Sequence, residues 1–162
     1  MNPMPTRWLA AASLAACLAA GCTTGRLHVA DAVVRGAQSD GAVTMLLTPS
    51  DVRTGDQLQV AVRNSQPGYL YLYQLGTDGK SVSLLFPNAI DGANYVAPGI
   101  TTLPRETWKL TARGPAGVGY FLAVVAAERQ DLTAIESRAS AGRIETEGPY
   151  AAAMAMLRER QP

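Results

Sequence analysis

Histidine and cysteine are scarce in this 162-residue sequence, and their scarcity excludes several classes of enzyme. The single histidine, His28, lies near the N-terminus, so the rest of the chain lacks the usual base for a serine or cysteine nucleophile. The two cysteines, Cys17 and Cys22, also lie near the N-terminus, and with one histidine they cannot build a Cys/His zinc cluster. The sequence therefore predicts a protein that is not an enzyme and that has no metal or small-molecule cofactor.

An excess of charge and a long apolar run are also missing. The 14 basic residues nearly match the 13 acidic ones, and a nucleic-acid partner needs a basic face, so none is expected. The apolar run that begins near Trp8 is shorter than the about 20 residues of a transmembrane helix. A buried soluble helix is the other alternative, but the Gly-Cys-Thr-Thr-Gly that follows is a poor helix continuation.

The N-terminus instead has the features of a secretory signal. Arg7 precedes the short apolar run, and small residues close it, as such signals require. The closing residues, which form the signal cleavage motif and the modified position, are Leu18, Ala19, Ala20, Gly21 and Cys22. This motif resembles that of a bacterial lipoprotein. The resemblance implies cleavage before Cys22 and a lipid on its sulfur, with a diacylglycerol and an added N-acyl chain such as palmitate.

Removal of residues 1–21 has three consequences for the mature chain. Arg7 leaves with the signal, so basic and acidic residues become equal in number. Cys22 becomes the only cysteine, so no intrachain disulfide can form. The next residue is Thr23 rather than Asp, which in Gram-negative bacteria resembles the outer-membrane sorting state. We therefore expect an outer-membrane lipoprotein that faces the periplasm, anchored through the membrane lipid and followed by a flexible tether over residues 22–41.

Residues 42–130 are predicted to form an antiparallel β-sandwich, immunoglobulin-like or similar. In Asp56–Arg63, Leu58, Val60 and Val62 alternate with polar residues, which is typical of a half-buried strand. Val118–Ala127 is the most apolar stretch and is predicted to be a central strand covered on both faces. Further strands are expected at Val43–Thr48, Tyr69–Leu75, Ser81–Phe86 and Glu106–Arg113, with a loop at Asp91–Ile100 and hairpin turns at Asp78-Gly79 and Gly114–Gly117.

Residues 131–162 are predicted to be a helical tail that caps the sandwich. Asp131–Ala141 has weak helical character. Tyr150–Arg160 follows Gly148-Pro149 and is rich in Ala, Met, Leu, Arg and Glu. In this second stretch Tyr150, Met154 and Leu157 are spaced to form one apolar stripe on a helix.

Two features of the domain could carry chemistry or binding. Carboxylates such as Asp56 and Asp78 could in principle form a hydrolase pair, but their places at turns favour local hydrogen bonds. Tyr69, Tyr71 and Tyr73 would form a row on one sheet face if Leu70 and Leu72 point into the core. That row is a candidate binding face for a glycan or a protein. The favoured interpretation is that loops or the C-terminal helix cover it.

A longer series of motifs resembles a bacterial domain-of-unknown-function family of envelope lipoproteins. The motifs are Gly68-Tyr69-Leu70-Tyr71-Leu72, Asp78-Gly79-Lys80, Leu84-Leu85-Phe86-Pro87-Asn88, Leu103-Pro104, Trp108 and Gly114-Pro115-Ala116-Gly117. They cover about residues 42–127 and fit a pattern GYLYL…DGK…LLFPN…LP…GPAG. The resemblance implies a small β-sandwich-like module, also found appended to kinases or caspase-like proteases, with no agreed activity and no catalytic residue to assign.

The function expected from these features is a non-catalytic, membrane-anchored accessory domain that binds a protein partner in the envelope. A secretion or surface assembly is the candidate setting. Two alternatives stay open at this stage: a lipoprotein that binds glycan or peptidoglycan through the tyrosine row, and a hydrolase that uses carboxylates.

Overall fold

The computed structural model describes residues 41–144, 146 and 148–162, so Cys22 and the cleavage motif Leu18–Gly21 lie outside the described residues. Within them the chain forms ten strands and one helix. The elements are β1 (Val43–Thr48), β2 (Asp51–Arg53), β3 (Gln57–Asn64), β4 (Gly68–Leu75), β5 (Val82–Phe86), β6 (Tyr95–Val96), β7 (Gly99–Leu103), β8 (Leu110–Thr111), β9 (Gly117–Ala126), α1 (Leu132–Ser140) and β10 (Tyr150–Arg160).

The described strands form two sheets, and all but one of the strand pairs are antiparallel. The smaller sheet has the order β1-β3-β7, with β8 also pairing β3. The larger has the order β2-β10-β9-β4-β5, with β6 also pairing β4. Only β2 and β10 run parallel. The predicted mainly β, antiparallel sandwich with a helix near the C-terminus is therefore confirmed. In immunoglobulin terms, β1, β3 and β7 take the places of strands A, B and E, and β10, β9, β4 and β5 those of G, F, C and C′.

The core lies between the sheets and is built by period-two alternation. Leu58, Val60 and Val62 of β3 are buried there, as their spacing predicts. On β9 alternate residues Phe121, Ala123 and Val125 face the same core. The residues between them, Leu122, Val124 and Ala126, pack in a second cluster with α1. The prediction that β9 is a central strand covered on both faces is confirmed.

The helical tail predicted for residues 131–162 is wrong in its second half, because Tyr150–Arg160 is a strand. β10 lies between β2 and β9 and pairs with β9 from Tyr150 to Glu159. Ala151, Ala153, Ala155 and Leu157 face the main core, while Met154 and Met156 are exposed. Alanine has a high helix propensity and a small side chain, so it hides the period-two pattern of this strand. Pairing with the sheet outweighs that local preference.

The first half of the predicted tail does form a helix. The Oδ1 atom of Asp131 accepts hydrogen bonds from the N–H groups of Thr133 and Ala134, at 2.9 and 3.4 Å, which starts α1. Ile135 and Ala139, one turn apart, are its buried residues. In the described part of the chain, no helix has the length and apolar character needed to cross a membrane.

Three other local predictions need correction. Gly114–Gly117 is not a hairpin, because β8 pairs with β3 of the smaller sheet and β9 belongs to the larger sheet. Only Leu110–Thr111 of the predicted strand Glu106–Arg113 is a strand. β7 begins at Gly99, inside the predicted loop, and pairs with β3. These errors share a cause, since each depends on long-range pairing that local alternation does not specify.

Candidate binding cleft

A cleft of about 600 Å³ opens between the two sheets beside β5. One wall comes from β5 and the turn before it, and the other is the segment Trp108–Pro115, which contains β8. β5 is the last strand on its side of the larger sheet. β8 pairs with β3 alone among the described strands. The cleft therefore lies between two strand edges that belong to different sheets.

The turn before β5 is fixed by one carboxylate. Asp78 Oδ1 accepts hydrogen bonds from the N–H of Lys80 at 2.9 Å, the N–H of Ser81 at 3.0 Å and the Ser81 hydroxyl at 2.9 Å. Gly79 has a φ of 78°, which favours glycine. The predicted hairpin at Asp78-Gly79 is thus confirmed, and its Asp serves the turn as expected.

The backbone of β5 presents hydrogen-bonding groups to the cleft side. The N–H of Gly76 donates to the carbonyl of Ser81 at 2.8 Å, which closes the hairpin. In an antiparallel pair, the N–H and C=O groups of successive residues point alternately toward the partner strand and away from it. Counting from Ser81, these groups point toward β4 at Ser83 and away from β4 at Val82 and Leu84. No strand within the described residues lies on that outer side.

The opposite wall is attached to the end of β5 through a buried carboxylate. The indole N–H of Trp108 donates to Asp91 Oδ2 at 3.2 Å. Arg105 forms an ion pair with Oδ1 of the same residue and donates to the Ala93 carbonyl at 3.0 Å. The Arg105 guanidinium also lies 5.1 Å from the centre of the Phe86 ring. These contacts hold Trp108 at a fixed distance from β5.

The polar side of the Trp108–Pro115 segment gives the cleft its charge. Lys109 and Arg113 are exposed, and neither forms an ion pair within the described residues. Gln74, Ser83 and Thr111 supply neutral polar groups. Asp78 is the carboxylate in the lining, and its Oδ1 is engaged in the turn. The cleft therefore has a net positive lining.

Gly114 allows the deep end of the cleft to close over a buried carboxylate. A Cβ on Gly114 would lie 2.3 Å from Thr77 Oγ1 and 3.1 Å from Glu159 Oε2. Glu159 is only 2% exposed, and its Oε1 accepts from the Thr54 hydroxyl at 3.2 Å. Because a methyl group would overlap these oxygens, a residue larger than glycine would displace this end of the cleft.

The tyrosine row is not an open binding face, because two of its three members are buried. Tyr71 and Tyr73 are 0% and 1% exposed, and they pack against Ile135 of α1 and against Ile144. The Tyr71 hydroxyl accepts from the N–H of Gln130 at 2.7 Å. Tyr69 is half-buried. The favoured interpretation, in which a helix covers the row, matches this arrangement.

Three other acidic residues of the domain serve local structure. Asp56 Oδ2 accepts from the N–H of Arg53 at 2.8 Å, Asp91 holds Trp108, and Asp131 caps α1. Across residues 41–144, 146 and 148–162, no group of three or more His, Cys, Asp or Glu side chains could hold a metal ion.

Comparison with known protein families finds one that is similar to part of this chain. The family described as "Domain of unknown function (DUF4384)" matches residues 51–129. Residues 51–129 are therefore similar to this family. The match bears out the resemblance to a domain of unknown function. The DUF4384 segment holds β2 to β9, while β1, α1 and β10 lie outside it.

Similarity outside the DUF4384 match is limited. No curated protein matches the sequence. One chain of a solved structure, described as "Structural basis of T cell specificity and activation by the bacterial superantigen toxic shock syndrome toxin-1", aligns with a TM-score of 0.41 and 14% identity. The alignment covers 74% of this chain and 99% of the other. At that TM-score the likeness supports no conclusion about function.

The sequence does not predict the cleft, although the alternation of one of its walls can be recognised. Glu106–Arg113 alternates, and its apolar members Leu110 and Ala112 are buried as the alternation indicates. Its polar members Lys109, Thr111 and Arg113 line the cleft. The pattern shows that these three share a face, but it does not show that β5 lies opposite them.

Proposed function

We propose that this protein is a non-catalytic lipoprotein, held in the bacterial envelope by lipid on Cys22, whose domain binds a protein partner in the cleft between β5 and Trp108–Pro115. The observation that supports partner binding is the cleft itself. Its volume of about 600 Å³ is of the size that ligand-binding pockets have, and it is bordered by an unpaired strand edge. We also propose that the motif series from Gly68 to Gly117 is the pattern of the DUF4384 family.

The proposed location is the outer membrane, with the domain facing the periplasm and a secretion or surface assembly as its setting. Leu18–Cys22 supports lipidation, and Thr23 supports outer-membrane sorting in a Gram-negative host. A diacylglycerol with an added acyl chain would anchor the protein stably, since each buried CH₂ contributes about 0.8 kcal/mol. The glycan-binding alternative has less support, because Tyr71 and Tyr73 of the tyrosine row are buried and Tyr69 is half-buried.

The anchor is tested by labelling cells with an alkyne-bearing palmitate analogue. The wild-type protein should take up the label and sediment with membranes, and Cys22→Ser should do neither. Cys17→Ser is the matched control, because Cys17 precedes the cleavage position and its loss should change nothing. Equal label on Cys22→Ser and on the wild type would contradict the proposed anchor.

Partner binding is tested by photo-crosslinking in intact cells. A photoreactive amino acid replaces Ser83 or Thr111, on the two walls of the cleft, or Thr44, which is exposed on the opposite sheet. The same protein adduct should form from both cleft positions and not from Thr44. Adducts that contain only glycan, or that form equally from Thr44, would refute a protein-binding cleft.

A further inference from the structure

The outer edge of β5 lacks two of the features that normally block strand addition, although a β-bulge opposite Leu72 and Tyr73 interrupts its pairing with β4. Val82–Phe86 contains no charged residue and no proline, which are the usual protections of an exposed edge. The N–H and C=O groups of Val82 and Leu84 point away from β4, and no described strand pairs with them. Such an edge can accept a strand from another chain through main-chain hydrogen bonds.

The cleft supplies the space that an added strand would need. Side chains of a strand alternate between its two faces, so every second side chain of a strand beside β5 would point between the sheets. There it would meet Ser83 on one wall and Thr111 on the other, across a volume of about 600 Å³. Because Ser83 and Thr111 are polar, they suit polar inward side chains.

The charge of the cleft selects among such side chains. Lys109 and Arg113 are exposed and form no ion pair within the described residues, and Lys80 is exposed at the tip of the hairpin. The carboxylate of Asp78 is directed into its own turn by three hydrogen bonds to Oδ1. Electrostatic complementarity therefore favours an acidic occupant over a basic one.

We infer that the partner segment is an acidic, extended peptide that adds to the larger sheet as a strand beside β5, with its Asp or Glu side chains facing Lys109 and Arg113. This inference rests on the proposed function and deepens it, because it names the chemistry and the binding mode of the partner. Main-chain pairing would supply affinity, and the two cations would supply selectivity.

The test uses the mature chain, residues 22–162, with Cys22→Ser to keep it free of lipid. Three synthetic peptides of about ten residues, long enough to pair with all of β5, serve as probes. One alternates Val and Glu, one alternates Val and Lys, and one has the Val/Glu sequence with every second backbone nitrogen methylated. Calorimetry measures binding, and amide hydrogen exchange reports on β5.

The Val/Glu peptide should bind and slow exchange at the amides of Val82 and Leu84, with little change at Ser83, whose amide already faces β4. The other two peptides should bind at least tenfold more weakly. Lys109→Glu and Arg113→Glu should each weaken Val/Glu binding by about fivefold, which corresponds to an exposed ion pair. Arg63→Glu, exposed on the smaller sheet, is the matched control and should bind like the wild type.

Four results would overturn the inference. Equal binding of the Val/Lys peptide would remove the charge argument, and equal binding of the methylated peptide would remove strand pairing. Slow exchange at Val82 and Leu84 without peptide, relieved by deletion of residues 24–40, would show that the chain's own segment occupies the edge. If the peptides fail while Ser83 still crosslinks a protein in cells, the proposed function stands and this binding mode is wrong.

Discussion

Gly68 shows how a single residue can be required by the close approach of two backbones. It begins β4, and a Cβ at this position would lie 2.6 Å from the Ala126 carbonyl oxygen and 2.8 Å from Val125 Cγ1. The requirement for glycine here comes from its distance to β9. Gly79 differs, because its φ of 78° does reflect a turn.

We therefore predict that Gly68→Ala lowers the free energy of unfolding by about 1–3 kcal/mol, because a strand backbone cannot move aside as a flexible side chain can. Gly92→Ala is the matched control. The nearest atom to its new Cβ would be the Asn88 carbonyl oxygen at 3.8 Å, so its effect should stay within about 0.5 kcal/mol. Urea denaturation measures both, and equal stability of the two variants would contradict the close approach.

Tyr71 and Tyr73 allow a comparison between a buried hydroxyl that has a hydrogen-bond partner and one that does not. The Tyr71 hydroxyl accepts from the Gln130 N–H, whereas the Tyr73 hydroxyl is buried with no hydrogen-bond partner among the described residues. Tyr71→Phe should lower the free energy of unfolding by about 1–3 kcal/mol, because it deprives a buried N–H of this acceptor. Tyr73→Phe should be neutral or stabilising. The reverse order in thermal or urea unfolding would count against this packing of α1.

The buried hydroxyl of Tyr73 also predicts that the free energy of unfolding changes with pH in the alkaline range. Burial raises the pKa of its hydroxyl above the ordinary value, nearby Tyr71 adds to the rise, and Arg138 opposes it. A raised pKa means that the folded state holds the proton more tightly than the unfolded state does. Its contribution to stability is therefore complete below about pH 10 and is lost as the pH rises above that value. Unfolding measured from about pH 9 to 12 should show this loss, and Tyr73→Phe should reduce it.

At the scale of elements, β10 completes the larger sheet. The DUF4384 match ends at residue 129, yet β10 lies between β2 and β9 and pairs along nearly all of β9. Leu157 and Glu159 of β10 are buried. The matched segment alone would leave β2 without its sheet partner and the core open on that side.

A chain that ends at Gly148 should consequently fail to fold, because it lacks β10, whereas a chain that ends at Arg160 should fold normally. Circular dichroism and dispersion of amide NMR signals distinguish the two outcomes. A native-like spectrum from the shorter chain would mean that β10 is dispensable, contrary to its position in the sheet.

How far the sequence predicts each element depends on how local its determinants are. β1, β3, β4, β5 and β9 follow from alternation or apolar runs bounded by turn residues, and their bounds match within about two residues. The sequence of β10 predicts a helix because alanine favours helices locally, and only its neighbours β2 and β9 make it a strand. The partner of each strand could not be predicted where the chain crosses between sheets, as at Gly114–Gly117.

For the whole molecule, the two sheets are joined by covalent and packing connections. β1 belongs to the smaller sheet and β2 to the larger, and only Pro49 and Ser50 separate them. The main core cluster also contains residues from both sheets. Neither sheet could therefore unfold without exposing the core that the two sheets share.

This connection predicts a single unfolding transition. Trp108 reports on the cleft between the sheets, and it is the only tryptophan of the chain 22–162 that the proposed cleavage would leave. Its fluorescence and the far-ultraviolet circular dichroism should therefore give the same urea midpoint, as two-state unfolding requires. An earlier fluorescence transition would show that the Trp108 wall opens before the sheets separate.

The candidate cleft is a property of the whole molecule, which explains why the sequence revealed only part of it. The shared face of Lys109, Thr111 and Arg113 follows from alternation, and the Asp78-Gly79 turn follows from residue type. Their juxtaposition with β5 depends on the order of strands in both sheets. By contrast, the tyrosine row was correctly placed on one sheet face, while its cover by α1 depended on the path of the chain after β9.

The parallel pairing of β2 with β10 has a mechanical consequence. β2 lies near the N-terminal end of the domain and β10 near the C-terminal end, and Asp51 and Arg160 form an ion pair across them. Tension between the two ends of the domain would pull these strands in opposite directions along one axis. Their hydrogen bonds would then carry the force together instead of breaking one at a time, so a domain tethered at its N-terminus would withstand traction.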